Sequence, residues 1–178
     1  VDSAQIEARI VAWLAEEEQV LTAFRNKRDI YSEFATKAYG RLITKADAEE
    51  RFVGKTCILG LGFGMGGVKL QSTLLTQSIN QGLDPVRLSS EICYGLVNSY
   101  RGTYTEIVKL WKIANDQFIG AMLSGREMEF KGLKISKEKI LLPSGLSLLY
   151  PGLDANAVKG GYGMPDIIHD ASYLSARA

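Results

Sequence analysis

Apolar residues recur at three- and four-residue spacing along most of the chain as far as Gly125, the pattern of amphipathic helices. Val1 to Ala4 reads as the end of a strand, followed by a helix carrying Ile6, Ile10, Trp13 and Leu14. Glu16-Glu17-Glu18 interrupts this stripe as a solvated turn or helix face, and Val20, Leu21 and Phe24 resume it. Asp29 stands where an N-cap belongs, for a helix ending at Gly40. Thr44-Lys45-Ala46-Asp47 has the form of a capping box, with Asp in place of Glu, and opens a central helix. Val68 to Gln81 predicts a helix closed by Gly82, and Asp84-Pro85 predicts the cap of the next, with Leu88, Ile92, Leu96 and Tyr100 on one face. A further helix from Tyr104 to Leu123 turns Ile107, Val108, Trp111, Ala114, Phe118 and Met122 inward. These stripes are core.

Beyond Gly125 the texture changes to short strand-like runs, at Met128 to Ile135 and Ile140 to Leu142. Pro143-Ser144-Gly145 then reads as a hairpin turn into Leu146 to Tyr150, and Gly152 to Gly163 as a loop. The expected fold class is α+β, mainly helical.

Composition changes this picture little. With 178 residues, 46% hydrophobic and 23% charged, the chain can bury a sizeable core, and disorder is excluded. A formal net charge of +1 does not announce nucleic-acid binding, although basic residues cluster at Arg25 to Arg28 and at Lys131 to Lys139. Cys57 and Cys93 form no disulfide framework, which fits a reducing cytoplasm. No apolar run approaches the ~18 residues of a membrane span, so no membrane partner is expected. Val1 in place of Met reads as the start of an internal piece of a longer protein.

The chemistry gathers on the central helix. Arg51, Lys55, Leu59 and Phe63 lie four residues apart, and each such step overshoots a turn by about 40°, so they share one face. Two cations, an apolar residue and an aromatic ring in that order suit a triphosphate attached to a base. Gly54, Gly60, Gly62 and Gly64 weaken the helix, each by roughly 1 kcal/mol against Ala, as befits a part that must move. The same glycines raise a rival: Gly62 to Gly67 fits G-x-G-x-x-G, with Cys57-Ile58-Leu59 as the preceding strand and Asp84 about 20 residues on, as a Rossmann-like dinucleotide-binding domain would have it. Against that, Gly82 and Pro85 flank Asp84, and the would-be strand continues a helical pattern. A second rival is a helical binding module with no chemistry, its Arg51–Lys55–Phe63 face buried or unconnected to Asp2. By spacing alone Asp2 is an N-cap and Glu7 a first-turn carboxylate.

The stretch from Arg51 to Gly64 resembles motif B of the family A DNA polymerases, the polymerase I and phage type. Arg51, Lys55 and Leu59 match, and Phe63-Gly64 stands in place of Tyr-Gly. Asp2-Ser3-Ala4-Gln5-Ile6-Glu7-Ala8-Arg9 is similar to motif A, while Tyr100 to Trp111 and Leu142-Pro143-Ser144-Gly145 are similar to segments of the phage members.

That resemblance implies a fragment of a template-directed DNA polymerase. Residues 1–16 would be a palm strand and its following helix, 17–126 the helical fingers, and 127–178 a strand-rich return toward the palm. Asp2 would hold two Mg²⁺ ions, helped by the carbonyl of Ser3, and Glu7 would lie beneath the sugar of the incoming dNTP. Arg51 and Lys55 would hold the triphosphate, with Lys55 protonating the leaving pyrophosphate. Leu59 and Phe63 would contact base and sugar, and Gly64 would let the template approach. For Tyr31, packing and a phosphate contact both stand. Implied partners are primer-template DNA, dNTP and the remaining palm and thumb, in a bacterial or phage-infected cytoplasm. The family's Arg after Gly145 is Leu146 here. His169-Asp170-Ala171 lacks the Glu of motif C, so His169 reads as structural or surface and motif C as missing. The fragment alone is then expected to be inactive.

Overall fold

A computed structural model of the chain describes residues 5–154, in two compact units divided between Val108 and Lys109. Val1 to Ala4, with Asp2 and Ser3, and the segment with His169 lie outside the described residues.

The first unit is helical: α1 (Ile6–Ala15), α2 (Glu18–Arg25), α3 (Ile30–Tyr39), α4 (Ala48–Gly62), α5 (Gly67–Asn80), α6 (Ser90–Thr103) and the start of α7 (Thr105–Ile113). α4 runs through its middle, packed on α1, α3, α5 and α6. Phe52, Val53, Cys57, Ile58 and Leu61 of α4 are buried, as are Phe34, Leu70, Leu74, Leu96 and Tyr100 around it. The rings of Phe34, Tyr100 and Tyr104 meet edge-on or tilted, with centroids 4.8 to 6.3 Å apart. α3 lies closest to α4. A Cβ built on Gly54 would stand 2.2 Å from the carbonyl oxygen of Tyr31, so only glycine permits this approach.

Several starts and stops follow the sequence. Asp29 caps α3 by accepting the Tyr31 N–H at 3.2 Å, and Gly40 ends it at φ 64°. Gly82 follows α5 at φ 69°. The box at Thr44 forms one turn early: the Asp47 carboxylate accepts the Thr44 N–H at 2.8 Å, and α4 begins only after Asp47.

Four expectations for the first unit are corrected. Asp84-Pro85 opens no helix; α6 starts at Ser90, capped by the Ser89 hydroxyl, which accepts the Ile92 N–H at 3.2 Å. The intervening strand of chain is held from outside: Val86 is buried and donates its N–H to Ser78 Oγ at 3.0 Å, and Gln71 donates to the Leu88 carbonyl at 2.8 Å. Glu17 is not solvated. It is buried and accepts the Glu106 N–H at 3.1 Å, satisfying an open donor in the first turn of α7. On α1 the small residues Ala8 and Ala12 face the core, while Ile6, Ile10 and Trp13 are exposed. Finally, the Rossmann-like reading fails, because Cys57, Ile58 and Leu59 lie inside α4 and Asp84 in a loop.

The second unit continues α7 through a π-helical turn (Ala114–Phe118) into α8 (Ile119–Ser124), so the helix expected to run to Leu123 changes pitch on the way. A four-stranded antiparallel meander follows: β1 (Met128–Phe130), β2 (Leu133–Ser136), β3 (Lys139–Leu141) and β4 (Ser147–Leu149). The run from Met128 to Ile135 is thus a hairpin rather than one strand, turning at Lys131 and Gly132 with φ 48° and 82°. Pro143-Ser144-Gly145 makes the expected turn, with Gly145 at φ 84°. Phe118, Ile119, Ala121, Met122, Ile135 and Ile140 form the core. Helices with one small sheet are the α+β fold expected from the sequence.

Candidate functional site

A cleft of about 530 Å³ opens on the first unit along α4. Lys55, Leu59 and Phe63 line it from successive turns of α4, with Phe52, Thr56 and Gly60 beside them. Glu7 of α1 lines it too, 48 positions before Lys55 in the chain. Thr73, Gln77 and Asn80 supply a polar wall at helical spacing on α5. Three of the four residues read onto one face, Lys55, Leu59 and Phe63, are therefore open to the cleft, with Phe63 53% exposed and Lys55 half-buried. Among the described residues no hydrogen bond or ion pair engages the Lys55 ammonium. A half-desolvated cation without a counter-ion, beside an apolar side chain and a ring, can hold an anion attached to a flat group.

The α5 wall is what the sequence did not disclose. Thr73, Gln77 and Asn80 lie within a segment whose apolar stripe said only that it was a helix. α5 faces the cleft because the chain reverses at Phe63-Gly64, where Gly64 has φ 80°. Gly64 is thus needed for the turn itself.

Arg51 does not line the cleft. It lies one turn before Lys55 and donates its Nε–H to Asp29 at 2.6 Å. Its guanidinium also stands 5.4 Å from the centroid of the Tyr31 ring. Burial alone would raise the Asp29 carboxyl; Arg51, the Ser32 hydroxyl and the Tyr31 N–H outweigh it and hold the group below its usual range. Tyr31 is buried, is hydrogen-bonded to the Gln5 side chain, and has its phenol pushed up, chiefly by burial.

Among the described residues no group of three His, Cys, Asp or Glu side chains could hold a metal ion. Asp2 and Ser3 lie outside them. No helix among them is long and apolar enough to cross a membrane.

The cleft is walled by helices and carries a cation, a carboxylate and a ring. Residues 1–140 match DNA polymerase family A, and the chain belongs to that family. It is similar to the DNA polymerase of Bacillus phage SP02, 29% identical over 153 residues, which cover 84% of this chain and 20% of that protein. It is similar to DNA polymerase I of Caldicellulosiruptor bescii, 24% identical over 143 residues, 78% of this chain and 15% of the relative. DNA polymerase I of Helicobacter pylori is 36% identical over 74 residues, 42% of this chain and 8% of the relative. The chain spans at most 20% of the length of these three relatives.

Proposed function

We infer that the chain is the nucleotide-binding part of a DNA polymerase that extends a primer 3′-OH on a template with dNTP, releasing pyrophosphate. The observation that carries this reading is that Glu7, from one end of the chain, lines the same cleft as Lys55, Leu59 and Phe63. In this reading residues 1–16 belong to the palm, residues 17–126 are the fingers and residues 127–178 return toward the palm. Lys55 neutralises charge on the triphosphate, Leu59 and Phe63 pack on base and sugar, and Glu7 lies under the sugar. Arg51 takes the outer phosphates from its seat at the start of α3, where Tyr31 supports it. Phosphoryl transfer needs mainly such positioning and charge neutralisation. Members of this family generally use divalent metal, and the donors assigned to it, the Asp2 carboxylate and the Ser3 carbonyl, are hard oxygens that suit Mg²⁺. Mg²⁺ bound there would neutralise phosphate charge.

The sugar contact gives the test. Phe63 lacks the hydroxyl with which a Tyr would reach the Glu7 carboxylate, a charge-assisted bond worth roughly 1.5–3 kcal/mol. Exclusion of ribonucleotides then rests on the bulk of Glu7 and the Phe63 ring. In the full-length polymerase, Glu7→Ala should raise use of a matched rNTP relative to dNTP, read as the ratio of kcat/KM, and Phe63→Tyr should preserve or sharpen discrimination. An unchanged ratio in Glu7→Ala removes Glu7 from the sugar site.

The 178-residue chain by itself should not extend a primer, since its sequence carries no His-Asp-Glu to supply the second metal carboxylate. Primer extension assayed with the purified chain and Mg²⁺ checks this; any template-dependent product refutes it.

A further inference from the structure

We propose that Asp29 is a positioning residue for nucleotide binding: it grips the Nε edge of Arg51 and so presents the opposite edge of the guanidinium to the terminal phosphates. This rests on the reading of the cleft given above. Asp29 Oδ2 accepts from Arg51 Nε at 2.6 Å and from Ser32 Oγ at 3.0 Å, while Oδ1 accepts the Tyr31 N–H at 3.2 Å. The carboxylate is thus fixed by α3 from two sides before it meets Arg51. The Tyr31 ring lies 5.4 Å from the guanidinium and restricts it from a third direction. Among the described residues no acceptor takes the Nη groups, which are the pair that fits two phosphate oxygens at once.

Two effects of Asp29 oppose each other. Its negative charge weakens the pull of Arg51 on an anion, and its grip removes the freedom a long side chain must otherwise surrender on binding. Arg51 is partly exposed, at 29% of its side chain, so solvent screens the first effect. The second is not screened, and it wins.

The test uses the full-length polymerase with Asp29→Asn, Arg51→Ala and the double variant. Asn caps a helix as well as Asp, so α3 keeps its start. Asp29→Asn should raise KM for a matched dNTP about tenfold, the scale of a lost charge-assisted hydrogen bond, with kcat changed by less than about twofold. In the Arg51→Ala background the same change should add nothing. A lowered or unchanged KM in Asp29→Asn, with KM raised in Arg51→Ala, overturns the positioning role and leaves the cleft reading standing. Full additivity of the two substitutions overturns it as well, since Asp29 then acts without Arg51. If neither Arg51→Ala nor Lys55→Ala changes KM or kcat, the cleft reading falls and the positioning role with it.

Discussion

Replacing Lys55 by Ala in the full-length polymerase should slow nucleotide addition at least ~100-fold, the scale of losing a preorganised electrostatic group or general acid. Lys55 differs from the cation one turn before it. Arg51 is held by Asp29 through its Nε and does not line the cleft, whereas no carboxylate among the described residues engages Lys55. Lys55 is thus the cation on the cleft wall itself, and half-burial makes its charge count for more than it would in bulk water. Because Lys55 lies on the cleft wall beside Leu59 and Phe63, primer-template affinity should change little. Single-turnover incorporation and DNA binding, measured separately, check both halves. Normal chemistry with weakened DNA binding would make Lys55 a DNA contact instead. Lys55→Arg should recover part of the rate, since the charge is retained but its reach is altered.

Much of this site was legible before the structure. Four-residue spacing put Lys55, Leu59 and Phe63 on one face, and that face is the cleft wall. Asp29 and Gly40 bounded α3 because a cap and a left-handed stop are local events, decided by one residue each. What stayed hidden was decided at a distance. Asp84-Pro85 has every local mark of a helix start, yet Ser78 and Gln71 on α5 hydrogen-bond the backbone that follows, and no helix forms before Ser90. Glu17 reads as one of three solvated carboxylates until the start of α7 comes within reach. The large apolar residues of α1 advertise a buried stripe, but close helix packing there uses Ala8 and Ala12. Asp29 shows the same limit in reverse: its cap was legible, and its hold on Arg51, 22 positions away, was not.

Gly54 is where sequence and packing give opposite advice, and its replacement should be the most damaging glycine change in the first unit. By helix propensity Gly54→Ala gains about 1 kcal/mol. By packing it cannot be accommodated in place, since the new Cβ would lie 2.2 Å from the Tyr31 carbonyl oxygen and 3.1 Å from Ala35 Cβ. Neither neighbour is a flexible side-chain end, so α3 must move off α4, and forced repacking costs typically 1–3 kcal/mol or more. Packing wins. Asp29 and Tyr31 ride on α3 and Arg51 on α4, so the same displacement loosens the Arg51 seat and should raise KM for dNTP. Gly95 on α6 provides the contrast: it is exposed, helical and has nothing within 4 Å of its would-be Cβ, so Gly95→Ala should stabilise by about 0.5–1 kcal/mol. Hydrogen exchange in the full-length enzyme distinguishes them. Peptides from α3 and α4 should exchange faster in Gly54→Ala, and those from α6 slower or unchanged in Gly95→Ala. Equal exchange of α3 and α4 in Gly54→Ala and the parent would mean that the two helices do not approach as closely as Tyr31 and Gly54 require.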